Sequence, residues 1–233
     1  MQSIFDFRNL MLSNIIDTEA EFIPLLTSED DDDLMDASIP DKLPILTLRN
    51  TVLFPGVVIP ITVGRDMSIK LVNDAYKGNK TIAVVSQKNV DQENPEPQDI
   101  NNIGSVAHIM KVLRMPDGNT TVIIQGKKRC RIKEVTSIDP YFYGKIEKLS
   151  ETRPKPKNKE FEALVSSLKD LALKIIKDSP NIPSDASFAI KNIESDSFLV
   201  NFIASNMNLS MEQKQKLVEE NDLKTRAIKV LEL

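Results

Sequence analysis

The hydrophobic period of this chain changes once along its length, and that change limits the folds it can adopt. In the middle of the chain, apolar residues recur at every second position, as in strands with one buried face. In the last third they recur at the spacing of an amphipathic helix, and the polar stretch SETRPKPKNKE separates the two patterns. The sequence therefore predicts an α+β chain with a β domain over 43–149, a linker over 150–160 and an α-helical bundle over 161–233.

The first 42 residues differ in charge from the rest of the chain. They carry a balance of −9, whereas the remaining residues carry +5, within a total of −4. Such a block of like charges repels itself and buries little, so residues 1–42 are expected to form an acidic, disordered leader. No basic start precedes an apolar block, which argues against a secretory signal. A lone cysteine fits a reducing cytoplasm, and no apolar run is long enough for a membrane span.

The most hydrophobic stretch, LRNTVLFPGVVIPITVGR, is interrupted by proline and glycine. Pro55-Gly56 combines a fixed φ with tolerance of positive φ, which predicts a sharp turn between two strands. Pro60 cannot donate a ladder hydrogen bond, so its strand should lie at an edge or carry a bulge. Residues 66–77 have helical spacing, and Gly78 is expected to end that helix in the left-handed region.

Further strands are predicted on both sides of a turn at 116–118, PDG, which is typical of a hairpin. Runs at 81–87, 129–135 and 141–149 add to these, and 88–102 forms a long polar loop. About six or seven short strands with one helix favour a small closed or partly closed barrel.

The helical part opens with an apolar stripe at i, i+3, i+4 and i+7 spacing, which should face partner helices. Its members are Phe161, Leu164, Val165, Leu168, Leu171, Ala172 and Ile175. Further helices are expected at 184–193, 196–207, 211–220 and 222–233, and Ser210 with Gln213 matches a capping box. The last helix reaches Leu233 without a terminating residue, which is expected either of a docked final helix or of a chain that continues.

The residues that catalysis requires are scarce. Cys130 and His108 are the only cysteine and histidine, which excludes an internal disulfide and a zinc site built from these two types. No phosphate-binding loop or nucleophile turn is present, so the chain itself is predicted to be non-catalytic, with no cofactor. The basic run GKKRCRIK could bind nucleic acid, but a solvated strand face is favoured because the folded part is only mildly basic.

Protein binding requires exposed apolar or adaptable side chains. Phe54 at the strand turn, Met67 at the helix start and Met115 beside the hairpin turn are the candidate substrate-binding residues. The competing interpretation for each is packing in the core, where methionine commonly fills gaps.

Two long blocks of the sequence carry a family pattern. In LPILTLRNTVLFPGVVIPITVGR (43–65) the matching residues are Leu43, Pro44, Leu48, Arg49, Leu53, Phe54, Pro55, Gly56, Pro60, Gly64 and Arg65. In IASNMNLSMEQKQKLVEENDLKTR (203–226) they are Lys214, Gln215, Leu217, Glu219, Asp222 and Arg226. The chain thereby resembles the N-terminal domain of the Lon ATP-dependent proteases.

This resemblance implies a PUA-like β pseudo-barrel with one helix, followed by a helical subdomain that leads into a long helix. It implies a parent protein that is a hexameric, cytoplasmic serine endopeptidase, with ATP and Mg²⁺ bound by an ATPase module that these residues lack. The chain would then capture unfolded or damaged proteins and assist assembly. The alternative is a free-standing PUA-like module that binds nucleic acid or a small ligand.

Overall fold

The computed structural model describes residues 39–115, 119–178 and 185–233, with the side chains of 185 and 186 left out. The acidic leader, apart from its last four residues, and the predicted hairpin turn at 116–118 therefore lie outside the described residues. The chain divides into two compact units, one ending at Ser150 and the other beginning at Glu151. They are named here the barrel unit and the helical unit.

Six strands are described in the barrel unit. They are β1 (Lys42–Leu48), β2 (Val58–Val63), β3 (Thr81–Ser86), β4 (Ile103–Arg114), β5 (Thr120–Ser137) and β6 (Tyr143–Lys148). The strand order is β2-β5-β4-β3-β1-β6, and β5 also pairs with β6. That additional pairing closes five strands into a barrel and leaves β2 on the outside. The α+β class and the closed barrel are confirmed, whereas the PUA-like label stays a prediction.

Strand β5 differs from the sequence prediction. Separate strands were expected over 120–126 and 129–135, but one strand runs without a break from Thr120 to Ser137. It pairs with β2 and β4 in its first part and with β6 in its last part, with register shifts in both the β4 and the β6 pairings. Neighbours on both sides hold this strand extended through a glycine that looks like a break in the sequence.

The interior of the barrel is apolar and is built from residues of five strands together with Ile100 and Phe142 from the loops. Its members are Leu43, Ile45, Ala83, Val85, Ile100, Val106, Cys130, Ile132, Phe142 and Ile146. Cys130 and Ile132 are buried as expected of a strand with one core face, but Arg129 is also buried, although the basic run was expected to form a solvated strand face. Its guanidinium donates to the carbonyl of Ser150, which provides a polar partner inside the protein.

Helix α1 (Asp66–Lys77) has the predicted bounds and packs on the sheet through Leu71 and Val72. Its predicted ending was wrong: Gly78 has φ −95°, and Lys80 is the residue with positive φ. The prediction for Pro60 is confirmed, since within the described ranges β2 pairs with β5 alone and is an edge strand.

The helical unit contains five described helices. They are α2 (Lys159–Asp178), α3 (Asp185–Lys191), α4 (Asp196–Asn206), α5 (Met211–Glu219) and α6 (Leu223–Glu232). The capping box at the start of α5 is confirmed: Ser210 Oγ accepts from the Gln213 N–H, and Gln213 Oε1 accepts from the Ser210 N–H. None of the described helices is both long and apolar enough to cross a bilayer.

The stripe predicted on α2 is partly wrong. Phe161, Val165, Leu168 and Ala172 are buried, but Leu171 is 45% exposed, and Ile176 occupies the buried position expected for Ile175. One turn of an α-helix spans about 3.6 residues, so a long stripe rotates around the helix and no longer faces a straight partner.

Candidate functional site

The turn at Phe54-Pro55-Gly56 is part of the core. Phe54 has no exposed surface, and Gly56 adopts φ 80°, which a side chain would disfavour. Gly126 of β5 contacts the turn, because its carbonyl accepts from the Gly56 N–H at 2.9 Å and its own N–H donates to the Val57 carbonyl at 2.9 Å. In this conformation the Phe54 ring offers no surface to a ligand.

The other two candidate residues lie in different surroundings. Met67, in the first turn of α1, is half-buried and packs against the barrel interior. Met115 follows β4 and is 39% exposed, and its N–H donates to the Asn119 carbonyl at 2.8 Å to close the hairpin. Of the three, Met115 alone is exposed enough to contact a bound molecule without rearrangement.

Arg65 attaches the long loop 88–102 to the barrel. Its guanidinium donates to Gln87 Oε1 at 2.7 Å, to Thr47 Oγ1 at 3.2 Å and to the Gln92 carbonyl at 3.4 Å. Burial, with the charge of Arg49, lowers the pKa of Arg65, which leaves it a cation at any physiological pH. A short 3₁₀ turn at Pro97–Asp99 then brings the loop back to β4. The loop is thus held in place by hydrogen bonds despite its polar sequence.

Large apolar side chains are exposed on both units. On the barrel unit they are Val90, Met115, Ile138 and Tyr143, and on the helical unit Leu171, Phe188, Ile228, Leu231 and Leu233. Phe188 is the most exposed of these at 67%. Sequence reasoning missed all of them except Met115. The signal for Phe188 was weak, because a seven-residue helix is too short to define a face.

Two cations of the basic strand GKKRCRIK share one carboxylate of β6, and a further ion pair lies beside the run. Arg131 and Lys133 both contact Glu147, at 3.1 and 2.9 Å, and Lys145 contacts Glu134 at 2.9 Å. Hydrogen bonding to Lys133 lowers the pKa of Glu147, and hydrogen bonding to Lys145 lowers that of Glu134. A phosphate group that contacted Arg131 or Lys133 would therefore have to displace Glu147.

Catalytic groups do not converge in the described residues. Cys130 faces the barrel interior, and burial raises the pKa of its thiol to about 12, so that the reactive thiolate is suppressed. Burial, with Lys127 and Lys80 nearby, lowers the pKa of His108. No group of three or more metal-ligating side chains occurs within the described ranges.

A buried arginine organises the helical unit. Arg226 is fully buried, and its Nη1 donates to Glu151 Oε1 at 2.8 Å and to Asn201 Oδ1 at 2.9 Å. Its Nε and Nη2 both donate to the Glu220 carbonyl. The sequence carried a signal for this, because Arg226 occupies the apolar stripe of α6 together with Leu223. The site stabilises the fold and has no opening to a ligand.

The same site fixes residues that were predicted as linker. Thr152 pairs with Asp222 in a short parallel bridge, in which its N–H donates to the Asn221 carbonyl and its carbonyl accepts from the Leu223 N–H. Residues 151 and 152 are therefore folded against the start of α6.

An open groove of about 610 Å³ lies between α5 and α6. It is lined by Gln213, Lys216, Leu217, Glu219, Glu220, Asn221, Lys229, Glu232 and Leu233. Lys229 contacts Glu220, and Lys216 contacts Glu212, so several of its charges are already paired. The groove offers mixed contacts but no group poised for acid–base or nucleophilic chemistry.

Comparison with known proteins settles the family. A model of the substrate-binding domain of the ATP-dependent protease La (LON) matches residues 42–233. The chain belongs to this family. The Lon protease of Flavobacterium johnsoniae is 58% identical over 228 residues, which cover 98% of this chain and 28% of that protein. The Lon protease of Cytophaga hutchinsonii is 48% identical over 220 residues, which cover 94% of this chain and 27% of that protein.

Solved structures agree on the fold. The N-terminal domain of Mycobacterium avium complex Lon protease matches with a TM-score of 0.68 at 19% identity, over 82% of this chain and 96% of that one. The Lon N-terminal domain protein from Xanthomonas campestris matches with a TM-score of 0.57 at 18% identity, over 82% of this chain and 97% of that one. The chain spans a little over a quarter of the length of the curated relatives that it matches.

Proposed function

We propose that this chain is the substrate-receiving region of a Lon-type protease and captures unfolded or damaged proteins. The family match over 42–233, which is described as a substrate-binding domain, carries the proposal. In the whole protein, an ATPase module with ATP and Mg²⁺ and a serine peptidase domain would act on what this region binds. That protein would be a hexamer in the cytoplasm, and this region would assist its assembly.

Exposed apolar side chains support the proposal on both units. Unfolded proteins differ from folded ones by the apolar side chains and backbone that they expose, so a receptor for them needs apolar surface of its own. Phe188 on α3 and Met115 at the end of β4 supply such surface. Met115 is the favoured contact among the sequence candidates, whereas Phe54 and Met67 would have to move to reach a substrate.

Few and shallow contacts of this kind bind weakly in one copy. Several copies held together in an assembly would bind one unfolded chain more tightly, because each further contact becomes intramolecular. The arrangement suits a receptor that must release its substrate onward.

The proposal can be tested with a permanently unfolded protein. The 233-residue chain should bind reduced, carboxymethylated α-lactalbumin, measured by calorimetry or fluorescence anisotropy, and should not bind the native calcium form of that protein. The chain should show neither ATPase nor peptidase activity. Equal affinity for the folded and unfolded forms would contradict the proposal.

Surface substitutions refine the test without disturbing the core. Phe188→Ser should weaken binding of the unfolded protein severalfold, and Lys191→Ser, an exposed change on the same helix, should leave it unchanged.

A salt titration distinguishes the nucleic-acid alternative: binding of an RNA or DNA oligonucleotide falls steeply with salt, whereas apolar capture does not. Tight, salt-sensitive oligonucleotide binding without binding of unfolded protein would favour that alternative.

A further inference from the structure

The outer edge of β2 presents backbone hydrogen-bonding groups. Strand β2 pairs with β5 on one side and has no strand on the other side among the described residues. In an antiparallel pair, successive residues direct their N–H and C=O groups alternately toward and away from the partner. Which residues of β2 face outward therefore follows from one known hydrogen bond.

That hydrogen bond runs from the Gly126 N–H to the Val57 carbonyl, so Val57 faces β5. The register pairs Ile59 with Ile124 and Ile61 with Val122, which continues the same alternation. The residues that face away from β5 are Val58, Pro60 and Thr62. Within the described residues, no hydrogen bond reaches the N–H groups of Val58 or Thr62.

The outward row has donors at Val58 and Thr62 and acceptors at Val58, Pro60 and Thr62. Pro60 leaves a gap in the row of donors, because proline has no N–H. An incoming strand can thus pair along the edge but loses one hydrogen bond at its centre. Proline on an edge strand also discourages permanent sheet growth.

We propose that the β2 edge binds an extended segment of an unfolded polypeptide by strand addition. This inference rests on the proposed function and names how that site recognises its substrate. Main-chain hydrogen bonds read no particular sequence, which matches a receptor for many unrelated unfolded proteins. A folded protein has already paired nearly all of its buried backbone groups, so the edge favours unfolded over folded chains by chemistry that every unfolded segment shares. The gap at Pro60 keeps the pairing weak and reversible.

Substitutions along the edge test the proposal in the 233-residue chain, with carboxymethylated α-lactalbumin as the probe. Thr62→Pro removes a second outward donor and should weaken binding about fivefold or more. Thr62→Val keeps the donor and alters the same side chain, so it should bind like the wild type. Pro60→Val restores the missing donor and should tighten binding by about fivefold.

Amide hydrogen exchange gives a readout that does not depend on variants. Adding the probe to the wild-type chain should slow exchange at the Val58 and Thr62 amides relative to those of Ile59 and Ile61, which already pair with β5. Circular dichroism establishes that each variant is folded. Unchanged exchange at both amides, or binding by Thr62→Pro equal to that of Thr62→Val, would overturn strand addition at this edge.

The outcomes also separate this inference from the proposed function. If the wild-type chain binds the unfolded probe while the edge amides stay unprotected, capture is real and occurs elsewhere. If the wild-type chain does not bind the probe at all, the proposed function itself is contradicted, and strand addition with it. Sedimentation without probe provides the remaining check: a dimer that Thr62→Pro abolishes would assign the edge to a second copy of this chain and overturn the proposal.

Discussion

The barrel unit and the helical unit are each stabilised internally by a different kind of interaction. The barrel unit is closed by backbone pairing around an apolar interior, and the turn that begins at Phe54 forms backbone hydrogen bonds with Gly126. The helical unit contains a buried guanidinium, Arg226, whose partners come from separate parts of the chain. Backbone closure tolerates many apolar side chains of similar size, whereas an ionic site requires particular atoms at particular distances.

This difference predicts where single substitutions do the most damage. In the helical unit, the most harmful substitution should be one that removes the buried polar group. In the barrel unit, it should be one that adds a methyl group where two backbone segments are in close contact. Four substitutions follow, and the first three each have a control substitution of the same kind at a position with fewer contacts.

The largest effect is expected for Arg226→Met. It removes the guanidinium from Asn201 and from the largely buried carboxylate of Glu151, which keeps an ion pair with Arg153 at 3.3 Å. The expected cost is therefore about 3 kcal/mol, the lower end of the range for a broken buried pair. Hydrogen exchange of peptides from residues 196–233 should rise strongly, while exchange within β4 and β5 stays the same. The control is Lys224→Met, which lies on the same helix as Arg226 and breaks a surface contact with Glu160 of α2. Equal losses in the two variants would mean that the buried site has no special importance.

Gly126→Ala should destabilise the barrel unit by about 1–3 kcal/mol. A Cβ at this position would overlap the Phe54 carbonyl and come within 3.3 Å of Leu53, so the turn would have to shift away from β5. Gly64→Ala serves as the control, because a Cβ there has no neighbour within 4 Å. Urea unfolding followed by circular dichroism measures both. A stability unchanged by Gly126→Ala would show that the turn is looser than its hydrogen bonds indicate.

A smaller, local effect is expected for Arg65→Met. Loss of its hydrogen bonds to Gln87 and to the Gln92 carbonyl should lower the free energy of opening loop 88–102 by about 1–2 kcal/mol. Limited proteolysis should then cut within this loop faster, with little change in global unfolding. Arg49→Met is the matched control. A drop in global stability as large as the local one would show that Arg65 supports the whole barrel.

The smallest effect concerns pH and His108→Gln. Burial lowers the pKa of folded His108 below its unfolded value of 6.5, so the unfolded chain takes up the proton first as pH falls. Above about pH 6.5 the histidine is neutral in both states and the stability is at its full value. Between that pH and the lower folded pKa, the wild type should lose stability. The variant lacks this loss because His108 is the only histidine, and parallel pH profiles of unfolding free energy would contradict the assignment.

Local patterns predicted most of the fold. The bounds of α1, the capping box at Ser210 and the edge position of Pro60 each follow from residues within one or two turns of each other. The continuity of β5 and the exposure of Leu171 were not predicted, because both depend on distant neighbours: β2 and β4 keep β5 extended, and the geometry of the partner helices leaves the leucine exposed.

The residues of the candidate site were harder to predict from the sequence than the strands and helices were. Phe54 and Met67 were selected for their chemistry, but a side chain's exposure is set by packing from elsewhere in the chain. The β2 edge could be anticipated only in part. Pro60 indicated an edge, yet which backbone groups point outward depends on the register with β5, which no local pattern encodes.

Strand β5 touches three other strands in succession over its length from Thr120 to Ser137. Deleting one residue near its middle would turn every following side chain to the opposite side and carry Cys130 and Ile132 out of the interior. Natural variation in the length of this domain should therefore collect in its loops, and an engineer who wishes to insert a tag or a sensor should avoid this strand.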